Sequence, residues 1–133
     1  MAGERSEIVS MISNETRMVL DVGCASGEVG KAIKDKCKCE VTGIEIDRDQ
    51  AKKASTKIDH VITGDVEALD LRFQQRCFDY IVFADVLEHL KDPLSALKKY
   101  LIYLKEGGKV IVSIPNVRHI SVLYELIMLG EWK

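Results

Sequence analysis

Short apolar runs alternate with amphipathic helical blocks along this chain, and glycines and acidic residues gather where the runs end. Met18–Val22 is an apolar run closed by Gly23, and Glu28–Lys36 then sets Val29, Ala32 and Ile33 on one helical face with lysines opposite. Val41–Ile46 predicts a second strand. Asp47 is placed to cap the next helix, with Gln50 three residues on, and Ala51, Ala54 and Ile58 form its inner face. His60–Thr63 and Tyr80–Ala84 predict the third and fourth strands. Asp92 and Pro93 open a helix whose leucines recur at 94, 97, 101 and 104, with Gly107-Gly108 as its stop. Lys109–Ile114 predicts a fifth strand, ended by Pro115, and His119–Leu129 a last helix, apolar on most sides. Runs apolar on both faces, separated by helices, mean parallel strands covered on each side, and right-handed crossovers then give an α/β doubly wound parallel sheet of order 3-2-1-4-5.

The chain has 133 residues, enough for one domain, and residues 1–133 show no internal repeat, linker or second domain. A net charge of −2 argues against a nucleic-acid partner held by electrostatics. Met1–Ser13 carries Glu4, Arg5 and Glu7 and lacks the apolar core of a secretory signal, and no apolar stretch approaches the ~18 residues of a membrane span. Cys24, Cys37, Cys39 and Cys77 form neither a C-x-x-C pair nor a zinc-ligand spacing. A reduced, cytoplasmic location is the expectation.

Ligands of doubly wound sheets bind at the carboxyl ends of the strands, where strand order reverses. The first strand ends in Asp21-Val22-Gly23-Cys24-Ala25-Ser26-Gly27, whose glycines permit a sharp turn and close approach of a ligand, just before a helix N-terminus. The second ends in Glu45, 22 residues after Gly23, the interval at which an acidic side chain meets ribose hydroxyls. The third ends in Gly64-Asp65 and the fourth in Ala84-Asp85. Each signal alone fits an ordinary turn; their joint placement on one rim carries the information. The glycines fall at 23, 27 and 30, with Ala25 in the middle place, which departs from the G-x-G-x-x-G cradle of a dinucleotide pyrophosphate. The spacing suits a ligand with a ribose, an adenine and a compact zwitterionic tail.

The segments Val19–Gly27 (VLDVGCASG), Gly43–Asp47 (GIEID), Gly64-Asp65 and Phe78–Pro93 (FDYIVFADVLEHLKDP) resemble, in order and spacing, the motifs of class I S-adenosylmethionine-dependent methyltransferases. The branch they are most similar to contains ubiquinone-biosynthesis O-methyltransferases and many bacterial methyltransferases. The resemblance runs from about Arg17 to Asn116 and implies a Rossmann-like fold with S-adenosylmethionine as cofactor. It implies that Asp21 and Gly23, Cys24, Ala25, Ser26 and Gly27 surround the methionine portion and that Glu45, with Ile46 beside it, holds the ribose hydroxyls. It further implies that Gly64, Asp65 and Val66 receive the adenine, and that Ala84 and Asp85 face the methionine amino end. Ala25 stands where many relatives have glycine. The family's sheet has seven strands and five are predicted here, so the last two are expected to be absent, as in a C-terminally truncated domain.

Methyl transfer from a sulfonium demands alignment of donor and acceptor above all. A hydroxyl acceptor also needs a base, and His89 with Asp85 are the catalytic candidates; His89 reads equally well as a local helix-start residue. His60 lies at the wrong end of its strand, and His119 lies beyond the fifth strand. Asp85, Glu88 and His89 could share a helical face and offer oxygen and imidazole to a divalent cation, but without a visible fourth ligand no metal is expected. The acceptor is expected to be a small molecule taking the methyl on oxygen or nitrogen. A non-catalytic cofactor-binding module and a nicotinamide-dependent oxidoreductase are the alternatives. An uncovered edge on the fifth strand, together with the apolar run after it, leads to an expectation of self-association through the C-terminal third.

Overall fold

The computed structural model describes residues 2–114 and 120–122. In chain order the elements are α1 (Ala2–Met11), β1 (Met18–Val22), α2 (Glu28–Lys36), β2 (Glu40–Glu45), α3 (Arg48–Ala54), β3 (His60–Thr63), β4 (Phe78–Ala84), α4 (Pro93–Leu101), β5 (Leu104–Ser113) and β6 (Ile120–Val122), with a 3₁₀ turn at Leu87–His89. The strands form one sheet of order β3-β2-β1-β4-β5-β6. The first five run parallel, as the alternation of apolar runs and helices requires, and β6 runs antiparallel to β5. After β1 the chain builds outward to β3 and then returns to lay β4 on the other side of β1. The carboxyl ends of β1 and β4 therefore flank the point where strand order reverses.

Alternate residues of each central strand enter two separate cores. Leu20, Val22, Ile81, Phe83, Val110 and Val112 face α4, where Leu97 and Tyr100 meet them. Val19, Val82 and Ile111 face the other way, against Ile8 of α1, Ile12 just after it, Ile33 of α2 and Ala54 of α3. This two-sided burial is why the strands read as continuous apolar runs. Caps fix where the helices begin. The Asp47 carboxylate accepts from Asp49 N at 2.9 Å and Gln50 N at 3.2 Å, and Asp92 accepts from Ser95 N at 3.2 Å with Pro93 at the first helical position.

Three expectations are corrected. The leucine repeat overruns the helix: α4 ends at Leu101, and Leu104 already pairs with Phe78 as the first residue of β5. Gly107-Gly108 is then a bulge inside that strand, since Phe78 pairs with Leu104 while Tyr80 pairs with Lys109. Gly107 takes φ +82, and a Cβ on Gly108 would press within 2.8 Å of Lys105 O and 2.9 Å of Asp79 O. Ile120–Val122 is a strand rather than part of a helix, and it covers the edge of β5 at Ile111, Val112 and Ser113, so that edge is not bare there. The open N–H and C=O groups of β5 favour pairing with these residues, two of them β-branched. The rest of the anticipated last helix, residues 123–129, lies outside the described residues, as do Pro115 and His119. The sequence carries no clear signal for α1, because its apolar positions form no stripe.

Gly27, at the start of α2, has φ +88, and a Cβ there would lie 2.9 Å from Ala54 Cα and 3.1 Å from its Cβ. Gly27→Ala is therefore expected to destabilise the fold by about 1–3 kcal/mol, from a left-handed backbone combined with overpacking. Urea unfolding of the two proteins measures this.

Candidate functional site

The loop after β1 is set by its hydrogen bonds. Gly23 N and Cys24 N both donate to Ile44 O, at 2.8 and 2.9 Å, which folds the loop back over β2. Gly23 takes φ +74, and a Cβ on it would collide with Val86. Gly43 in β2 is equally constrained, because a Cβ there would lie 2.5 Å from the Cys24 sulfur. Ala25 adopts φ +49, a left-handed conformation that costs an alanine free energy. The cost is offset by Glu45, whose Oε1 accepts from Ala25 N at 2.8 Å while Oε2 accepts from Asp47 N at 3.1 Å. Glu45 thus braces the glycine loop as well as facing the site.

Above this loop lies a cavity of about 720 Å³ at the carboxyl ends of the strands. Asp21, Gly23, Cys24, Ala25, Ser26, Glu45, Ile46, Asp65, Val66, Ala84, Asp85 and His89 line it, which brings together most of the residues singled out from the sequence. Gly27 and Gly64 are not among its lining residues. Gly27 packs against Ala54, and a Cβ at Gly64 would press on Leu69 at 2.6 Å, so both serve close packing behind the wall. Asp65 Oδ1 accepts from Glu67 N at 2.9 Å. Asp85 takes φ +58, donates its N–H to Ser113 O at 3.1 Å, and accepts from Ser113 Oγ at 3.3 Å.

Asp21 has the most unusual environment. It is fully buried, and neither carboxylate oxygen has a hydrogen-bond partner among the described residues. Burial, and secondarily the charge of Glu45, push its carboxyl up to about 7. A buried unpaired carboxylate is costly, and one lining a cavity is matched to a cationic or multiply donating ligand group. The same burial, with Asp21 and Glu45 adding to it, pushes the Cys24 thiol up to about 12, so this cysteine stays protonated and is no nucleophile.

His89 is at the cavity mouth with its side chain 76% exposed, and Nε2 lies 3.7 Å from Glu88 Oε2. Glu88 does not line the cavity, and among the described residues no three acidic, histidine or cysteine side chains are grouped to hold a metal. The three-residue 3₁₀ turn does not give Asp85, Glu88 and His89 the shared α-helical face that the spacing suggested. His60 pairs with Glu40 at 2.9 Å at the far end of the sheet. Arg5, Glu28, Val29, Glu67, Val86, Leu90 and Lys91 also line the cavity, beyond the residues that the sequence motifs single out. Arg5 reaches it from α1, and its guanidinium has no ion pair among the described residues. No residue spacing links α1 to the strand ends, so only the fold reveals this placement.

The family described as "Methyltransferase domain" matches residues 4–133. The chain belongs to this family. Its motifs and fold are those of the class I S-adenosylmethionine-dependent methyltransferases, on the side of the ubiquinone O-methyltransferases. It is 30% identical over 127 residues to the ubiquinone biosynthesis O-methyltransferase of Coxiella burnetii (strain Dugway 5J108-111), covering 90% of this chain and 53% of that protein. It is 32% identical over 129 residues to the enzyme of the same name from Nitrosomonas europaea, covering 91% and 52%. The chain therefore spans about half the length of these relatives. A TehB-like methyltransferase from Corynebacterium glutamicum shares the fold at a TM-score of 0.69 and 23% identity, over 83% of this chain and 60% of that one. No helix among the described residues is long and apolar enough to cross a membrane.

The Asp21 environment sets a pH dependence in this methyltransferase domain. Its folded-state carboxyl is raised, so the folded protein holds a proton that the unfolded chain has released. Stability is then expected to fall as pH rises from about 4 to about 7 and to level off above that. The carboxyls of Asp59 and Asp79 are held below their ordinary value, so their contributions are lost only at lower pH. Asp21→Asn should flatten the profile between pH 5 and 7 and raise the melting temperature at pH 8. Thermal melts of the ligand-free proteins across that range decide it.

Proposed function

We propose that residues 1–133 act as a single domain that binds S-adenosylmethionine and transfers its methyl group to the oxygen or nitrogen of a small-molecule acceptor. The observation carrying this reading is the convergence of Asp21, Glu45, Asp65 and Asp85, from four strand ends, on one cavity beside the glycine loop. When bound, the cofactor supplies a methyl on a sulfonium with a neutral thioether as leaving group. The chain supplies position. Glu45 keeps acceptor capacity beyond its two backbone bonds and receives the ribose hydroxyls, with the exposed Ile46 beside it. Asp65 has one oxygen engaged and one left for the adenine amino group, and the buried Val66 packs beside the ring. Gly23 to Ser26 surround the methionine portion, with Gly27 and Gly64 shaping the loops from behind.

Asp21 and Ala84-Asp85 receive the methionine amino end, and Arg5 provides a counter-charge for its carboxylate. Asp85 and His89 are the groups able to take a proton from a hydroxyl acceptor. The supporting feature for Asp85 is that Ser113 fixes its carboxylate, and for His89 that its exposed imidazole lines the cavity mouth. The acceptor is not a nucleic acid, in keeping with the chain's net charge of −2. The four free thiols support a reducing, cytoplasmic setting. The apolar run in 120–129 supports self-association through the C-terminal third; light scattering over a concentration series should then show mass rising with concentration, and a constant monomer mass would refute it.

Titration calorimetry with S-adenosylmethionine and S-adenosylhomocysteine, followed by a methyl-release assay on catechols and amines, tests the function. Glu45→Ala should weaken cofactor binding by about 1–3 kcal/mol, because it removes a charged acceptor from two hydroxyls and releases the Ala25 amide. Unchanged affinity in a folded variant would sink the assignment.

A further inference from the structure

Two walls of the cavity come from loops far apart in sequence, the one after β3 (Asp65, Val66, Glu67) and the one after β4 (His89, Leu90, Lys91). A single carboxylate joins them. Glu67 Oε1 accepts from Lys91 N at 3.1 Å and Oε2 from Asp92 N at 2.9 Å. These are the last two amides before α4, where the helix dipole also favours negative charge. Further along α4, Tyr100 OH donates to Val66 O at 2.7 Å, and Lys99 Nζ donates to Val66 O at 3.2 Å and Glu67 O at 3.1 Å. On its other side Glu67 N donates to Asp65 Oδ1 at 2.9 Å. An unbroken path of hydrogen bonds therefore runs from Asp65 through Glu67 to Lys91 and Asp92.

We propose that Glu67 is a positioning residue that latches the loop after β3 to the segment 89–92, so that a ligand ordering the first also orders the second. The inference rests on the reading of this cavity as the cofactor site. Asp92 already caps α4 through Ser95, so the helix start does not depend on Glu67. What Glu67 adds is the link across the cavity. Its effect on the acceptor side is to hold His89 and Lys91 at a fixed distance from the adenine side once that side is filled.

Amide hydrogen exchange on the full chain, with and without S-adenosylhomocysteine, tests the latch in Glu67→Ala and in the near-isosteric Glu67→Gln. In the unaltered protein the ligand should slow exchange in 65–69 and in 89–92 together. In Glu67→Ala it should still protect 65–69, while the Lys91 and Asp92 amides exchange about five-fold faster and no longer respond, the factor expected for one net hydrogen bond. Glu67→Gln keeps one acceptor oxygen and should fall between the two. A residue that merely stabilised the fold would lower the melting temperature and leave the two segments responding in step; that result, or protection of 89–92 equal to the unaltered protein, overturns the latch. If the unaltered protein binds no S-adenosylhomocysteine, the cofactor reading fails first. Ligand-free exchange at Lys91 and Asp92 then judges the latch alone: faster in both variants supports it, and unchanged overturns it.

Discussion

β1 lies between β2 and β4 with both faces buried, and that enclosure governs everything on the ligand side. A strand hydrogen-bonded on both edges and packed on both faces cannot shift register without moving every side chain into the wrong core. Its last turn of chain must therefore deliver Asp21, Gly23 and Cys24 to one fixed place, where Ile44 O receives two successive amides. The acidic residues on the neighbouring strands inherit their positions from the same registry, Val22 beside Ile44 on one side and Phe83 on the other.

The interior of this framework opposes itself at one point. Apolar burial on both faces stabilises the sheet, yet it strips water from Asp21 and offers its oxygens nothing in return. Ala25 and Asp85 add left-handed backbone on the same rim. Such concentrations of unfavourable local states persist where the surrounding structure over-determines them and where a ligand has use for them. The two cores provide that over-determination here.

The first five strands, their parallel order and most of the cavity wall were legible in the sequence, because each depends on a local signal: a short apolar run, and a glycine or carboxylate where it stops. What escaped depends on distance or on competition between signals. Arg5 and Glu67 reach the cavity only through helix packing and loop docking, and no spacing records that. Leu104 continues a helical repeat, but pairing with Phe78 outweighs it, and the two glycines after it accommodate extra residues within a strand instead of stopping a helix. Ile120 and Val122 are as compatible with a strand as with a helix. The open edge of β5 decided between them. At Gly27 and Gly64 the structure adds a packing reason for the glycine, close approach to Ala54 and Leu69, that spacing does not reveal.

Glu45 ends β2 with each of its oxygens already engaged by a backbone amide, one in the glycine loop and one at the start of α3. The residue proposed to receive the ribose hydroxyls is thus also a structural tie between two loops. Re-engineering selectivity at this position, for instance to admit a cofactor carrying an extra phosphate, cannot be a one-site exercise. A replacement side chain would have to supply a new acceptor for the Ala25 amide, or position 25 would have to become a glycine that holds its left-handed turn unaided. The proposed ribose contact and the architecture of two loops draw on the same two oxygen atoms.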